Sequence, residues 1–307
     1  MIFQSPPYGG RRPGATPAAI TPEVPWQVGA GRWDFSRPLI MGVLNVTPDS
    51  FSDGGAYLEP ERALSRAKTL WAEGAHLIDL GGASSHPLAA PVAAEEELAR
   101  IAPVLERLMA EVPLPVSVDT QNPRVAEAAL GMGAHLINDV SGMIDPAMPR
   151  LAGKHGVPLV ITYNNLTVPK EASGLSFISD MLAFFDERID EAEGAGATRI
   201  LLDPGYGFGK TLEENLTVLR SLPLLRRFNR PVLICTSRKG SLGRLVGEPV
   251  PKERLGASVA SGLYAAHQGA QMIRVHDVKA FRQALDIWRA IHAVAGEDEA
   301  DGTSGPR

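Results

Sequence analysis

Leu39-Ile40-Met41-Gly42-Val43-Leu44-Asn45 is an apolar run that stops on an amide, and a helix-like segment at 61–74 follows it. The same unit recurs along the chain. Further apolar runs at 75–80, 115–119, 135–138, 158–163, 200–203, 231–236 and 271–275 are read as strands. They carry polar clusters at their ends: Asp79, Asp119, Asn138, Tyr163-Asn164-Asn165, Asp203, Ser237-Arg238-Lys239 and Arg274-Val275-His276-Asp277. Helix-like segments at 94–110, 123–132, 146–156, 180–195, 213–222, 253–269 and 278–294 alternate with them. Nearly continuous apolar runs fit parallel strands buried on both faces. Doubly wound sheets share this rhythm, so the count of eight units is what favours a closed (β/α)8 TIM barrel, an α/β fold. All strand C-termini then open on one face, which carries the active site. Asn, Asp, Lys, Arg and His gathered there predict an enzyme for a polar, phosphorylated substrate.

The rest of the chain is consistent with one such barrel. At 307 residues a single α/β barrel is an ordinary size. Residues 1–25 are rich in Pro and Gly with no apolar period and are expected to form a flexible arm, as is the tail at 296–307, leaving a barrel over 26–295. Trp26-Gln27-Val28 and Arg32-Trp33-Asp34-Phe35 flank Gly29-Ala30-Gly31, which predicts a short N-terminal hairpin that plugs the barrel's bottom. Asn122-Pro123 marks a helix start, and Gly74-Ala75, Gly133-Ala134 and Gly269-Ala270 mark helix stops.

Composition narrows the partners. The net charge is −5, and Glu297, Asp298, Glu299 and Asp301 crowd the C-terminal end against Arg307 alone, so the body is close to neutral. That excludes a general field for nucleic acid or an anionic membrane. Cys235 is the single cysteine, so no disulfide framework exists and a reducing compartment fits. No run reaches the ~20 apolar residues of a membrane span. Arg11-Arg12 is followed by Pro13-Gly14-Ala15-Thr16-Pro17 rather than an apolar stretch, so the expected location is cytoplasmic.

Asp119, Asn138 and Asp203 are placed to converge on the mouth, where buried acceptors suit a ligand rich in N–H groups such as an aminopyrimidinone ring. Arg274 and His276 alternate onto one side of their strand and form a candidate diphosphate clamp. Lys239 admits three readings: a phosphate contact, a ring donor or a Schiff-base nucleophile. Ser237-Arg238-Lys239-Gly240-Ser241 is expected to open a short helix facing a carboxylate. Asp203-Pro204-Gly205-Tyr206-Gly207-Phe208-Gly209-Lys210 is read as a glycine-rich turn with an exposed aromatic for stacking a flat substrate, and its spacing is not that of a P-loop. Zinc spacing and a nucleophile elbow are absent from the sequence. For each polar group alone, a surface turn or a tie between loop and barrel is the plain alternative.

Together these motifs resemble dihydropteroate synthase of the folate pathway, from about Ile40 to about Val278. Met41-Gly42-Val43-Leu44-Asn45-Val46-Thr47-Pro48-Asp49-Ser50-Phe51-Ser52-Asp53-Gly54-Gly55 is the most specific match, joined by Ile78-Asp79-Leu80-Gly81-Gly82, Ser117-Val118-Asp119-Thr120, Ile137-Asn138-Asp139, Leu202-Asp203-Pro204-Gly205, Gly207-Phe208-Gly209-Lys210, Ser237-Arg238-Lys239 and Ile273-Arg274-Val275-His276-Asp277. The resemblance implies a transferase, a sulfonamide target, that joins 4-aminobenzoate to 6-hydroxymethyl-7,8-dihydropterin diphosphate. It implies that Asp119, Asn138, Asp203 and Lys239 hold the pterin. Asn45, Ser85, His86, Arg274 and His276 would meet the diphosphate, with Mg2+ bound at Asn45. Pro87, Phe208, Gly240 and Ser241 would border the aminobenzoate, and the implied assembly is a homodimer.

The chain departs from the family pattern in three places. Ser84-Ser85-His86-Pro87-Leu88 stands for the usual Ser-Thr-Arg-Pro-Gly, Thr162-Tyr163-Asn164-Asn165 replaces a Met-His motif, and Gly240 separates Lys239 from Ser241. Two alternatives follow: a pterin-binding methyltransferase working with a corrinoid partner, and a pterin-binding paralogue with impaired catalysis.

Overall fold

The computed structural model describes residues 25–47, 58–83, 92–167 and 176–298. A hairpin of β1 (Trp26–Val28) and β2 (Gly31–Trp33) precedes eight parallel strands. These are β3 (Leu39–Asn45), β4 (Leu77–Gly81), β5 (Val116–Asp119), β6 (Leu136–Asp139), β7 (Leu159–Thr162), β8 (Ile200–Asp203), β9 (Leu233–Ile234) and β10 (Met272–Val275). The helices described are α1 (Leu58–Ala72), α2 (Ala94–Glu111), α3 (Pro123–Gly131), α4 (Ala147–His155), α5 (Phe177–Gly194), α6 (Leu212–Ser221), α7 (Gly240–Val246), α8 (Leu255–His267) and α9 (Val278–Asp298). The sheet runs β8-β7-β6-β5-β4-β3-β10-β9, and a parallel bridge from Leu202 to Val232 joins its two edges. The expected eight-unit barrel is therefore the fold, and the segments expected as an arm and a tail fall largely outside the described residues.

Period-two alternation divides each strand between two cores. Ile40, Ile78, Val118, Ile137, Ile161, Leu202, Ile234 and Ile273 face the helices in one large cluster. Met41, Leu77, Leu136, Val160, Leu201, Leu233 and Met272 face inward in a second, closed by Val28, Trp33 and Phe35 of the hairpin region. Trp26 meets Phe35 edge-on at 5.0 Å, so the plug is an aromatic cap on the inner core. Two histidines pin strand starts at this end, because His76 Nδ1 accepts from Ile40 N at 2.9 Å and His135 Nδ1 from Val116 N at 3.2 Å.

Local signals set the helix limits. Asn122 Oδ1 accepts from Arg124 N at 3.0 Å, with Pro123 opening α3. Gly74 (φ 98°), Gly133 (φ 102°) and Gly269 (φ 100°) adopt the left-handed region that L side chains resist, as the Gly-Ala pairs predicted. A further device is the capping box of Thr211 and Glu214 at α6.

Candidate functional site

Two residues beyond the inward apolar set, the same alternation turns polar. Asp79 follows Leu77, Asn138 follows Leu136, Thr162 follows Val160, Asp203 follows Leu201, Cys235 follows Leu233 and Arg274 follows Met272. These inward side chains and Asp119 lie towards the strand C-terminal ends and form the floor of the mouth. Asp79 and Thr162 are fully buried, and Asn138, Asp203 and Asp119 nearly so.

Arg274 ties this floor together. Its Nε donates to Asp79 Oδ2 at 2.6 Å and its Nη2 to Asp119 Oδ2 at 2.8 Å, while Asn138 Nδ2 donates to Asp79 Oδ2 at 3.0 Å. Among the described residues its Nη1 has only the weak acceptor Cys235 Sγ, at 3.8 Å. Removing one member of a buried network like this leaves an uncompensated charge, typically ~3–5 kcal/mol. Gly81 permits the close approach beside it, since a Cβ there would lie 3.3 Å from Asn45 Oδ1 and 3.6 Å from Asp119 Cβ.

Burial pushes Asp119 up to about 7, with Arg274 pulling down and Asp79 and Glu97 adding to the rise. Asp203 is likewise raised by burial, although Gly205 N donates to its Oδ1 at 2.8 Å and Lys239 opposes the shift. Arg274 loses by burial but is held charged by Asp79 and Asp119. His276 is pushed down to about 3 by burial and then by Arg274 and Arg238, so its ring is neutral. Ser237 Oγ lies 3.0 Å from His276 Nδ1, which leaves Nε2 for other contacts. Arg274 and His276 thus sit at one strand end with separate protein partners.

The turn after β8 holds the second cation. Lys239 Nζ lies 4.3 Å from the Phe208 ring centroid, a cation–π contact. Gly207 (φ 91°) makes room, because a Cβ there would fall 3.0 Å from Lys239 Cδ. Gly205 is tighter still, with Tyr163 O only 2.1 Å from where its Cβ would be. Buried Asn215 braces the turn, accepting from Gly207 N at 2.6 Å and donating to Thr211 O at 2.8 Å.

Some expectations are corrected here. The aromatics of this turn are buried: Tyr206 is 1% exposed and Phe208 6%, because Tyr206 OH meets Ser241 Oγ at 3.1 Å and Phe208 lies under Lys239. Gly240 is exposed and begins the seven-residue α7, and Ser241 is buried. The cluster Tyr163-Asn164-Asn165 does not line the mouth as one group. Tyr163 packs outward on Phe184 at 5.1 Å, and Asn164 ties the loop by donating to Val140 O at 2.7 Å. Thr162 faces inward instead. Arg238 donates two hydrogen bonds directly to the Asp277 carboxylate and so latches the β9 and β10 ends to each other. Ser85, His86 and Pro87, like 48–57 of the first loop, lie outside the described residues.

Sequence reasoning missed three residues in roles they hold here. Asp79 is the hub of the Arg274 network, and its place two residues after inward Leu77 was the available signal. Thr162 had the same signal from Val160. Glu97 on α2 is buried, its carboxyl raised by burial and hydrogen-bonded by Thr120, and nothing local distinguished it from Glu95 and Glu96.

Comparison with known proteins matches residues 41–276 to the family described as Pterin binding enzyme. A dihydropteroate synthase of Synechocystis sp. is 39% identical over 274 residues, 87% of this chain and 95% of that protein. The Xanthomonas albilineans dihydropteroate synthase structure with 4-aminobenzoic acid has a TM-score of 0.80 at 43% identity, covering 85% of this chain and 96% of that one. The structure of the same enzyme in complex with 7,8-dihydropteroate has a TM-score of 0.78 at 41% identity, covering 86% and 97%.

Proposed function

The chain belongs to the dihydropteroate synthase family of pterin-binding enzymes, and we propose that the mouth described above performs that family's transfer. The reaction joins the amine of 4-aminobenzoate to 6-hydroxymethyl-7,8-dihydropterin diphosphate, giving 7,8-dihydropteroate and diphosphate. The observation that carries this reading is the convergence of Asp79 and Asp119 on Arg274, with Asn138 bonded to Asp79, inside the barrel.

Asp119, Asn138, Asp203 and Lys239 are assigned to the pterin ring. As diphosphate leaves, the electron-rich dihydropterin becomes a delocalised cation, and preorganised carboxylates stabilise that charge as it forms. Arg274 offers its Nη1 and neutral His276 its Nε2 as donors to the departing oxygens. The aryl amine is neutral at physiological pH, so positioning and electrostatics supply most of the catalysis.

Asn45 fits a role as one oxygen ligand for Mg2+, being half-buried at the mouth with its Oδ1 beside Gly81. Among the described residues no group of three His, Cys, Asp or Glu side chains has metal-site geometry, which suits an ion that arrives with phosphate and water oxygens. Bound there, Mg2+ would neutralise leaving-group charge. A homodimer through α8 and α9 is supported by exposed Tyr264, Ile287 and Ile291 beside Leu263 and Trp288; light scattering of Ile287→Glu against the unmodified chain tests it, and a monomer in both removes it. No helix among the described residues is long and apolar enough to cross a membrane.

The deciding assay incubates the purified chain with both substrates and Mg2+ and follows dihydropteroate and diphosphate together. Equimolar release of both is expected. Pterin binding without either product, or methyl transfer from methyltetrahydrofolate, overturns the reading.

A further inference from the structure

Four inward polar atoms on four adjacent strands have no hydrogen-bond partner among the described residues. They are Asp79 Oδ1 on β4, Ser117 Oγ on β5, Asn138 Oδ1 on β6 and Thr162 Oγ1 on β7. Buried polar atoms in native interiors nearly always find a partner, so a contiguous arc of orphans facing one mouth requires an explanation. Asp79 and Asn138 already bond through their other atoms. The Ser117 and Thr162 hydroxyls make no hydrogen bond among the described residues.

Position separates these two. Ser117 lies two residues short of the end of β5, paired with Asp79 on one side and with apolar Leu136 on the other. Thr162 is the last residue of β7 and is paired directly with Asp203, the last residue of β8. It therefore stands at the level of the mouth, on the strand between those carrying Asn138 and Asp203. Asp119, Asp203 and Asn138 Oδ1 all present acceptors there. A pterin ring offers N–H donors to such groups, but its pyrimidinone carbonyl and ring nitrogens need donors in return. Asn138 Nδ2 already gives one of its two N–H groups to Asp79, and the lysines acting on Asp203 are Lys239 and Lys210, the second of which donates to Tyr163 O. A hydroxyl can donate or accept as its partner demands.

We propose that Thr162 is a substrate-contacting, specificity-determining residue whose hydroxyl donates to an acceptor on the pterin ring. This rests on the proposed function and adds a residue to it. Thr162 has no solvent exposure in the free chain, so the proposed contact requires the atoms covering it to move as the ligand enters the mouth. An unbonded buried hydroxyl does not help the free fold, and its contribution appears on binding. Substitution should therefore move affinity and stability in different directions.

The test titrates the full chain and its Thr162→Val and Thr162→Ser variants with 6-hydroxymethyl-7,8-dihydropterin diphosphate by calorimetry, and melts each protein without ligand. Thr162→Val replaces the hydroxyl by a methyl of similar shape. Its affinity should fall by about 5- to 10-fold, the size of one lost hydrogen bond. Its ligand-free melting temperature should stay level or rise by roughly 1–3 °C. Thr162→Ser should bind within about twofold of the unmodified chain. Unmodified affinity in Thr162→Val overturns the assignment alone. So does an equal loss in Thr162→Ser, or a Thr162→Val that unfolds or melts well below the unmodified chain, because each gives the side chain a packing role. An unmodified chain that binds no pterin diphosphate overturns the proposed function and this assignment with it.

Discussion

The lower and upper halves of the same eight strands are built on opposite rules. Below, Leu77, Leu136, Leu201 and Leu233 face inward with no exposure and pack against the hairpin cap. Two residues further along each of those strands stand Asp79, Asn138, Asp203 and Cys235, and Arg274 crosses above Met272 to meet two carboxylates. A buried Leu contributes ~1.5–3 kcal/mol relative to an exposed one, whereas a buried ion network is weak support for a fold. The lower half thus stabilises the barrel, and the upper half holds charge in a form a ligand can use.

Arg274→Ala should break that division most severely. It leaves Asp79 and Asp119 buried without their cation, so a loss of ~3–5 kcal/mol in urea unfolding is expected together with nearly all activity. Normal stability in this variant would mean that the upper half is not held by the pair. Lys239→Ala and Asp119→Ala should sharpen the contrast, each lowering turnover by about 10²–10³-fold if it removes a group aimed at the reacting charge. Their folded circular dichroism spectra should persist, and near-normal rates in both would remove the assignments. Leu136→Ala is the converse change in the lower half. It should lower stability by ~2–5 kcal/mol while the folded protein keeps its KM for the pterin.

The smallest expected effect lies at the strand starts. Burial lowers the pKa of both His76 and His135, and each accepts a backbone N–H through Nδ1. The folded chain therefore binds fewer protons at these rings than the unfolded chain. Their contribution is fully present above the unfolded value near 6.5 and is lost as pH falls through the lower folded value. The melting temperature should carry a downward contribution between about pH 7 and pH 5, and replacing either ring should flatten that acid slope. An acid slope identical in both single variants would exclude them as its source. Asp119 works in the other sense: burial raises its folded value to about 7, above the ordinary carboxylate range, so its contribution is present at acid pH and lost as pH rises through 7.

Asp119, Asn138 and Asp203 were legible because each lies where an apolar run meets its polar end, a local pattern. Thr162 was hidden by the more polar Tyr163-Asn164-Asn165 beside it, although counting by twos from Val160 marks it as inward. The exposed aromatic expected after Asp203 failed for a different reason. Tyr206 and Phe208 are covered by Ser241 and Lys239, which arrive from the next strand's loop.

By itself the sequence determined the eight strand–helix units, the hairpin ahead of them and the polar character of the strand ends. Those features follow from the period of apolar side chains and from backbone preferences within a few residues. Only the tertiary structure decided that Arg274 pairs with Asp79, 195 positions away, and with Asp119, 155 away. That choice depends on strand register and on closing the ring through β3 and β10, which set where distant side chains point and what already occupies their hydrogen-bonding atoms.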